Sequence, residues 1–195
     1  ANVESSTMQR ALSDACARTF NRLDSDGCMS TNDTVLLLSS GEAGAVTLDD
    51  FSAGLHAVCF DLMQQLQRDA EGSTKDLEIS VRGALNESDA EMAARSIARS
   101  SLVKCAVHGE DPNWGRVLAA LGTCDISFNP DTVDVALNGV WVCRDSQIAA
   151  AREDVQWFGR KVTIDVDLKA GPCGATVWTN DLTAMYVHEN SAYSS

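Results

Sequence analysis

The sequence predicts an α/β protein built as a layered sandwich of mixed β-sheets and helices. Helix-period and strand-period apolar patterns alternate through the first two-thirds of the chain. Strict two-residue alternation with hairpin punctuation takes over in the last third. At 195 residues and 45% hydrophobic, the chain can bury roughly two-thirds of its unfolded surface, in one core or in two closely packed lobes of about 1–125 and 126–195.

A helix is expected from Thr7 to Leu23, where Met8, Leu12, Cys16 and Phe20 recur at four-residue steps. After the polar turn Asp24 to Gly27, the short run Val35-Leu36-Leu37-Leu38 has the pattern of a strand buried on both faces. A long amphipathic helix follows from Thr47, with Leu48, Phe51, Leu55, Val58, Leu62 and Leu66 spaced by threes and fours, and it ends near Glu71-Gly72. Leu77, Ile79 and Val81 then alternate with polar residues, as in a strand exposed on one face.

A further helix is predicted to open at Ser88, with Glu91 completing a capping box, and to continue through Ala94 and Ile97. Leu102 to Val107 reads as a strand. Asp111-Pro112 supplies a cap and a preset first turn for a helix over Asn113 to Leu121, stopped by Gly122. Asn138-Gly139 between Val133-Val135-Leu137 and Val140-Trp141-Val142 is a strong hairpin signal. Val162 to Leu168 alternates cleanly, Ala175 to Trp178 is its expected partner, and one or two helical turns close the pattern around Asp181 to His188.

Charge narrows the partners. With 28 acidic and 15 basic residues the formal charge is -13, which repels phosphate backbones and anionic headgroups, so neither nucleic acid nor membrane is expected. No apolar run approaches the roughly 20 residues of a membrane span, and Ala1 to Ser6 carry no signal-peptide pattern. Seven dispersed cysteines without a C-x-x-C pair read as reduced thiols of a cytoplasmic protein. The histidines at 56, 108 and 188 lack metal-ligand spacing, and no metal or cofactor is predicted. Nucleophile-elbow, P-loop and dinucleotide motifs do not occur.

Three loops concentrate chemistry, and each has two readings. Ser30-Thr31-Asn32-Asp33-Thr34 either presents hydroxyls and amides to a ligand or satisfies its own backbone. Asp69-Ala70-Glu71-Gly72-Ser73-Thr74-Lys75 either lets backbone approach a ligand beside a carboxylate suited to a cationic amine, or is a helix-to-strand connection ending on glycine. Gly109 to Arg116 is either an anion site at a helix N-terminus or a capped helix anchored by Trp114.

Together these loops resemble one family. Phe20-Asn21-Arg22-Leu23-Asp24, Asp26-Gly27, the Ser30 to Thr34 run, Asp69 to Gly72, Asp111 to Arg116 and the tail Glu189 to Ser195 look, in order and across the whole chain, like the β chain of ornithine acetyltransferase. The resemblance implies a fold of the self-cleaving N-terminal-nucleophile type. It also implies a ping-pong transfer of acetyl from N-acetylornithine to glutamate through an acetyl-threonine, in arginine biosynthesis, with acetyl-CoA as a possible second donor. Carried across motif by motif, Glu71, Asn190 and Ser195 are expected to contact substrate.

The expected partner is the α chain of the same precursor, in an assembly of two α and two β chains, and it supplies the oxyanion-stabilising groups. Family β chains begin Thr-Met-Leu or similar, whereas this sequence begins Ala1-Asn2-Val3. The nucleophilic threonine is therefore expected about ten residues upstream of Ala1. Thr7-Met8 imitates that start, but it lies too close to Ser30 to Thr34 and within a predicted helix. The rivals are an aminopeptidase of the same fold type, which passes its acyl group to water, and a non-catalytic subunit.

Overall fold

The computed structural model describes residues 1–192. The chain divides into two units: Ala1–Leu23 with Cys28–Leu66, and Asp24–Gly27 with Gln67–Ser195. The first contains α1 (Ser5–Arg18), a 3-10 turn at Phe20–Arg22 and nearly all of α2 (Leu48–Arg68). α2 falls where apolar spacing by threes and fours places it, whereas α1 stops at Arg18, short of the expected Leu23, and Phe20 lies in the 3-10 turn that follows. Thr47 caps α2, its hydroxyl accepting the Asp50 N–H at 3.1 Å. Asp49 and Asp50 in the first turn complement the helix dipole.

The buried stripe of α2 is Cys59 and Met63, while Val58, Leu62 and Leu66 are exposed. Val35 to Leu38 form no strand, and Leu36 and Leu38 are 77% and 89% exposed. An apolar run records a tendency toward burial. A strand also needs a neighbour to complete its ladder, and none of the described residues supplies one.

The second unit is organised by a six-stranded mixed sheet in the order β4-β3-β2-β5-β1-β6. Its strands are β1 (Asp76–Ala84), β2 (Asp134–Leu137), β3 (Val140–Arg144), β4 (Gln147–Ile148), β5 (Lys161–Asp167) and β6 (Cys173–Asn180). Only β1 and β5 run parallel, with Ile79 opposite Ile164. The expected pairing of β5 with the Ala175 to Trp178 segment is not formed, because β1 lies between them and takes β6 as its antiparallel neighbour. Period-2 patterns fix which face each strand buries, and partner choice is decided by the crossover.

Three helices complete the unit's core: α3 (Glu87–Arg99), α4 (Ser101–His108) and α5 (Trp114–Leu121). The stripe Ala90, Ala93, Ala94, Ile97 and Ala98 is buried, and these small side chains let α3 pack on β1 and β6. Beneath it, Leu77, Ile79, Val81, Val162, Ile164 and Val166 are almost wholly buried. Each such side chain contributes about 1.5–3 kcal/mol relative to exposure.

Asn86, not Ser88, caps α3, accepting the Asp89 N–H at 2.9 Å. Asn113, not Asp111, caps α5. Leu102 to Val107 belongs to α4 and is no strand. Ser100 caps it through the Val103 N–H, and the buried set Val103, Lys104, Ala106 and Val107 has helical spacing. The hairpin turn has positive φ at both Asn138 (48°) and Gly139 (80°), as a type I′ turn requires. No helix among the described residues is long and apolar enough to cross a membrane.

Candidate functional site

The segment Asp69 to Lys75 leaves α2 and enters β1, and it meets a further element of this unit, helix α6 (Ala184–Ala192). Contact is close because residue 72 has no side chain. A Cβ there would lie 2.7 Å from the Met185 carbonyl carbon and would also strike the Tyr186 nitrogen, and φ at Gly72 is +64°. Glycine is required at this position by both conformation and space. The segment has the form of the second reading, a helix-to-strand connection through glycine, and what the Gly72 backbone approaches is helix α6.

Two residues between β6 and α6 fix this approach. Asp181, whose side chain is fully buried, accepts the backbone N–H groups of Thr74 at 2.8 Å and Lys75 at 2.9 Å through Oδ1. Its Oδ2 accepts the Thr74 hydroxyl at 2.5 Å and lies 2.9 Å from His108 Nδ1. Burial pushes the Asp181 carboxyl up, but donors from Thr74, Lys75 and His108 outweigh it and hold the group below its ordinary range. Thr183 donates its hydroxyl to the Gly72 carbonyl at 2.7 Å and accepts the Tyr186 N–H at 2.9 Å, so it caps α6 as well.

Glu71 is exposed beside this clamp and, among the described residues, makes no hydrogen bond or ion pair. Its carboxylate is free to receive a cation. Asn190 is also exposed, one turn beyond Tyr186 on α6, and its amide donates to the Tyr186 carbonyl at 3.0 Å. The structure therefore joins the loop carrying Glu71 to the helix carrying Asn190, although the two residues stand 119 positions apart in sequence. Ser195 lies outside the described residues.

Further along the same edge, Lys75 Nζ bridges to Glu110 at 2.7 Å and donates to the Gly159 carbonyl at 3.0 Å. This ties the loop to the start of the Gly109 to Arg116 motif. That motif matches the capped-helix reading: Asn113 Oδ1 accepts the Arg116 N–H at 3.3 Å, and Arg116 donates to the Leu102 carbonyl at 2.8 Å. A cavity of about 300 Å³ opens beside it, lined by Asp111, Trp114 and Arg152 among others. Arg152 and Asp111 close one side as an ion pair at 2.7 Å.

In the first unit, the Ser30 to Thr34 run follows its self-satisfying reading. Ser30 Oγ accepts the N–H groups of Asn32 at 3.3 Å and Asp33 at 3.1 Å. Sequence reasoning gave no site role to Asp181, Thr183 or His108, and it included Thr74 only as part of the Asp69 to Lys75 loop. Thr183 had a local signal, a threonine three residues before Tyr186 in a helical stretch. Asp181 had none, because all its partners are distant in sequence.

Comparison with known proteins adds to this geometry. The ArgJ family model matches residues 1–195. The arginine biosynthesis bifunctional protein ArgJ of Streptomyces coelicolor is 57% identical over 196 residues, covering 100% of this chain and 51% of that protein. Its counterpart in Thermobifida fusca is 57% identical over 178 residues, covering 91% of this chain and 46% of that protein. The chain thus spans about half the length of the curated relatives it matches. Among solved structures, the arginine biosynthesis bifunctional protein from Bacillus halodurans superposes with a TM-score of 0.94 at 36% identity, covering 99% of this chain and 96% of that one.

Proposed function

The chain belongs to the ArgJ family, and from that premise we propose that it is the β-chain part of an acetyltransferase moving acetyl from N2-acetyl-L-ornithine to L-glutamate. The observation that carries the reading is the whole-chain match to arginine biosynthesis proteins at 57% identity, together with a Glu71 carboxylate that is unpaired among the described residues, on a loop held against α6. The word bifunctional in the relatives' name is consistent with a second activity, for which this reading takes acetyl-CoA as a second donor to glutamate.

In this proposal a threonine hydroxyl upstream of Ala1 attacks the acetyl carbonyl, and the N-acetylornithine C–N bond breaks. The hydroxyl proton passes to the leaving amine, which departs as ornithine. The glutamate amine then attacks the threonine ester, takes the acetyl group and returns a proton to the threonine oxygen. Glu71 pairs with the substrate's side-chain ammonium, and Asn190 and Ser195 offer hydrogen bonds to its carboxylate or amide. The α chain of the same precursor supplies oxyanion stabilisation, in an assembly of two α and two β chains.

Intact mass spectrometry of the full-length co-expressed protein, exposed briefly to N-acetylornithine without glutamate, tests this. The expected result is two chains, with one acetyl group on a β chain beginning in threonine and its loss when glutamate is added. Loss to water at the same rate without glutamate would favour the aminopeptidase. An unacetylated β chain would favour a non-catalytic subunit.

A further inference from the structure

We propose that Asp181 and Thr183 are positioning residues that set where the Glu71 carboxylate stands relative to α6, and so determine affinity for the cationic amine of the donor. The proposal rests on the reading of Glu71 as the ammonium partner.

Arg160 holds the Ser73 carbonyl and hydroxyl, Asn180 donates to the Lys75 carbonyl and Lys75 Nζ reaches Glu110. Asp181 and Thr183 hold four other atoms of the loop: the Gly72 carbonyl, the Thr74 N–H, the Thr74 hydroxyl and the Lys75 N–H. These four lie on the C-terminal side of Glu71, beginning with the residue bonded to it. The same Thr183 hydroxyl accepts the Tyr186 N–H, and Tyr186 accepts from the Asn190 amide. One side chain therefore fixes both the loop with Glu71 and the first turn of the helix with Asn190.

Glu71 has no partner of its own among the described residues, so its direction is inherited from the backbone on which it stands. A charge that must meet an ammonium within hydrogen-bond reach loses much of its effect when displaced by about 1 Å. Where residues orient the ligands of a metal, their removal typically alters affinity or activity about 10–100-fold, and the clamp stands to Glu71 as such residues stand to a ligand. Neither Asp181 nor Thr183 is required to touch substrate. Their effect passes through Glu71.

The test uses the full-length protein carrying Thr183→Val, Asp181→Ala, Thr183→Ser and Asp181→Asn, with N-acetylornithine as donor. Valine removes the hydroxyl at nearly constant volume, whereas serine keeps it. Asparagine keeps the Oδ1 acceptor for the Thr74 and Lys75 N–H groups. We expect the Val and Ala variants to raise KM for N-acetylornithine about 10–100-fold with kcat changed less than about threefold, and the Ser and Asn variants to stay within about threefold of the parent.

In a Glu71→Ala background, Thr183→Val should raise KM no further. An equal rise in that background, or an unchanged KM in both Val and Ala variants, overturns the proposal. If Thr183→Val does not fold, Thr74→Val removes one arm from an exposed position and must raise KM in the same direction. If the folded parent does not turn over N-acetylornithine, the assignment of substrate fails. The clamp is then judged by hydrogen exchange at the Thr74 and Lys75 amides, which Asp181→Ala should accelerate at least about tenfold, and unchanged exchange rejects it.

Discussion

Thr183 and Gly72 stand 111 positions apart in sequence, and the hydroxyl of one donates to the carbonyl of the other at 2.7 Å. That bond forms only because Gly72 brings its backbone against Met185 and Tyr186 without a side chain and at φ +64°. The loop's place therefore depends on glycine as much as on the clamp that grips it.

Gly72→Ala should displace the loop. The backbone conformation alone costs a non-glycine residue on the order of 1–3 kcal/mol, and the new methyl meets backbone atoms that cannot rotate away. In urea titrations of the full-length protein the midpoint should fall with an unchanged slope. KM for N-acetylornithine should rise, as in the Asp181 and Thr183 variants. An unshifted midpoint would mean that the loop relaxes at no cost, contrary to the packing described.

Acid should act through Asp181. Its folded-state pKa is lower than its unfolded one, so its contribution to stability is fully present above the unfolded value of about 3.9 and is lost as pH falls through the folded value. The groups facing it are Thr74, the Lys75 N–H and His108 by hydrogen bond, and the Lys104 and Arg160 cations through space. Stability measured by urea midpoint should thus stay level for this group near neutrality and decline below about pH 4. Asp181→Asn should flatten that decline. An identical acid slope in parent and variant would show that other carboxylates dominate.

The strands and helices were legible where the signal was local. Alternation located β1 and β5, and Asn138-Gly139 located the β2–β3 turn. Legibility failed where the answer lay elsewhere in the chain. Leu102 to Val107 contains enough apolar residues for a strand, and only the cap at Ser100 and the buried stripe of α4 decide for a helix. Val35 to Leu38 lacks a ladder neighbour among the described residues. Glu71 and Asn190 were reached through resemblance, because two exposed polar residues carry no period or motif that distinguishes them from ordinary surface. Asp181 was invisible for the reason that makes it useful: its hydrogen bonds span 73 to 107 positions.

Packing of α3 on the sheet depends on small side chains, and Ala94, wholly buried, is a direct probe of it. Ala94→Leu adds three carbons to a filled interface and should cost about 1–3 kcal/mol through displaced rotamers or backbone. Ala94→Gly should also destabilise, by about 1 kcal/mol, but through helix propensity. Thermal unfolding of both variants separates the two causes. If the leucine variant is as stable as the parent, α3 does not sit as close to β1 and β6 as the structure places it.

Asn138 joins turn chemistry to sheet register. Its φ of 48° suits asparagine far better than most residues. Its Oδ1 accepts the Thr163 N–H at 2.9 Å, and its Nδ2 donates to the Gln156 carbonyl at 2.8 Å. Its own N–H donates to the Thr163 carbonyl at 2.9 Å, so the hairpin tip is fastened to β5 from both side chain and backbone. Asn138→Ala removes both side-chain bonds and leaves a less suitable residue in the turn, for an expected loss of about 1–3 kcal/mol. Asn138→Asp keeps the acceptor toward Thr163 and tolerates the same φ, but it loses the donor toward Gln156, so its midpoint in urea should fall between parent and alanine variant. The ordering parent, Asp, Ala is the informative result: an aspartate variant no better than alanine would assign the stabilisation to the Gln156 bond, and an alanine variant equal to the parent would show that the backbone bond to Thr163 alone holds the register.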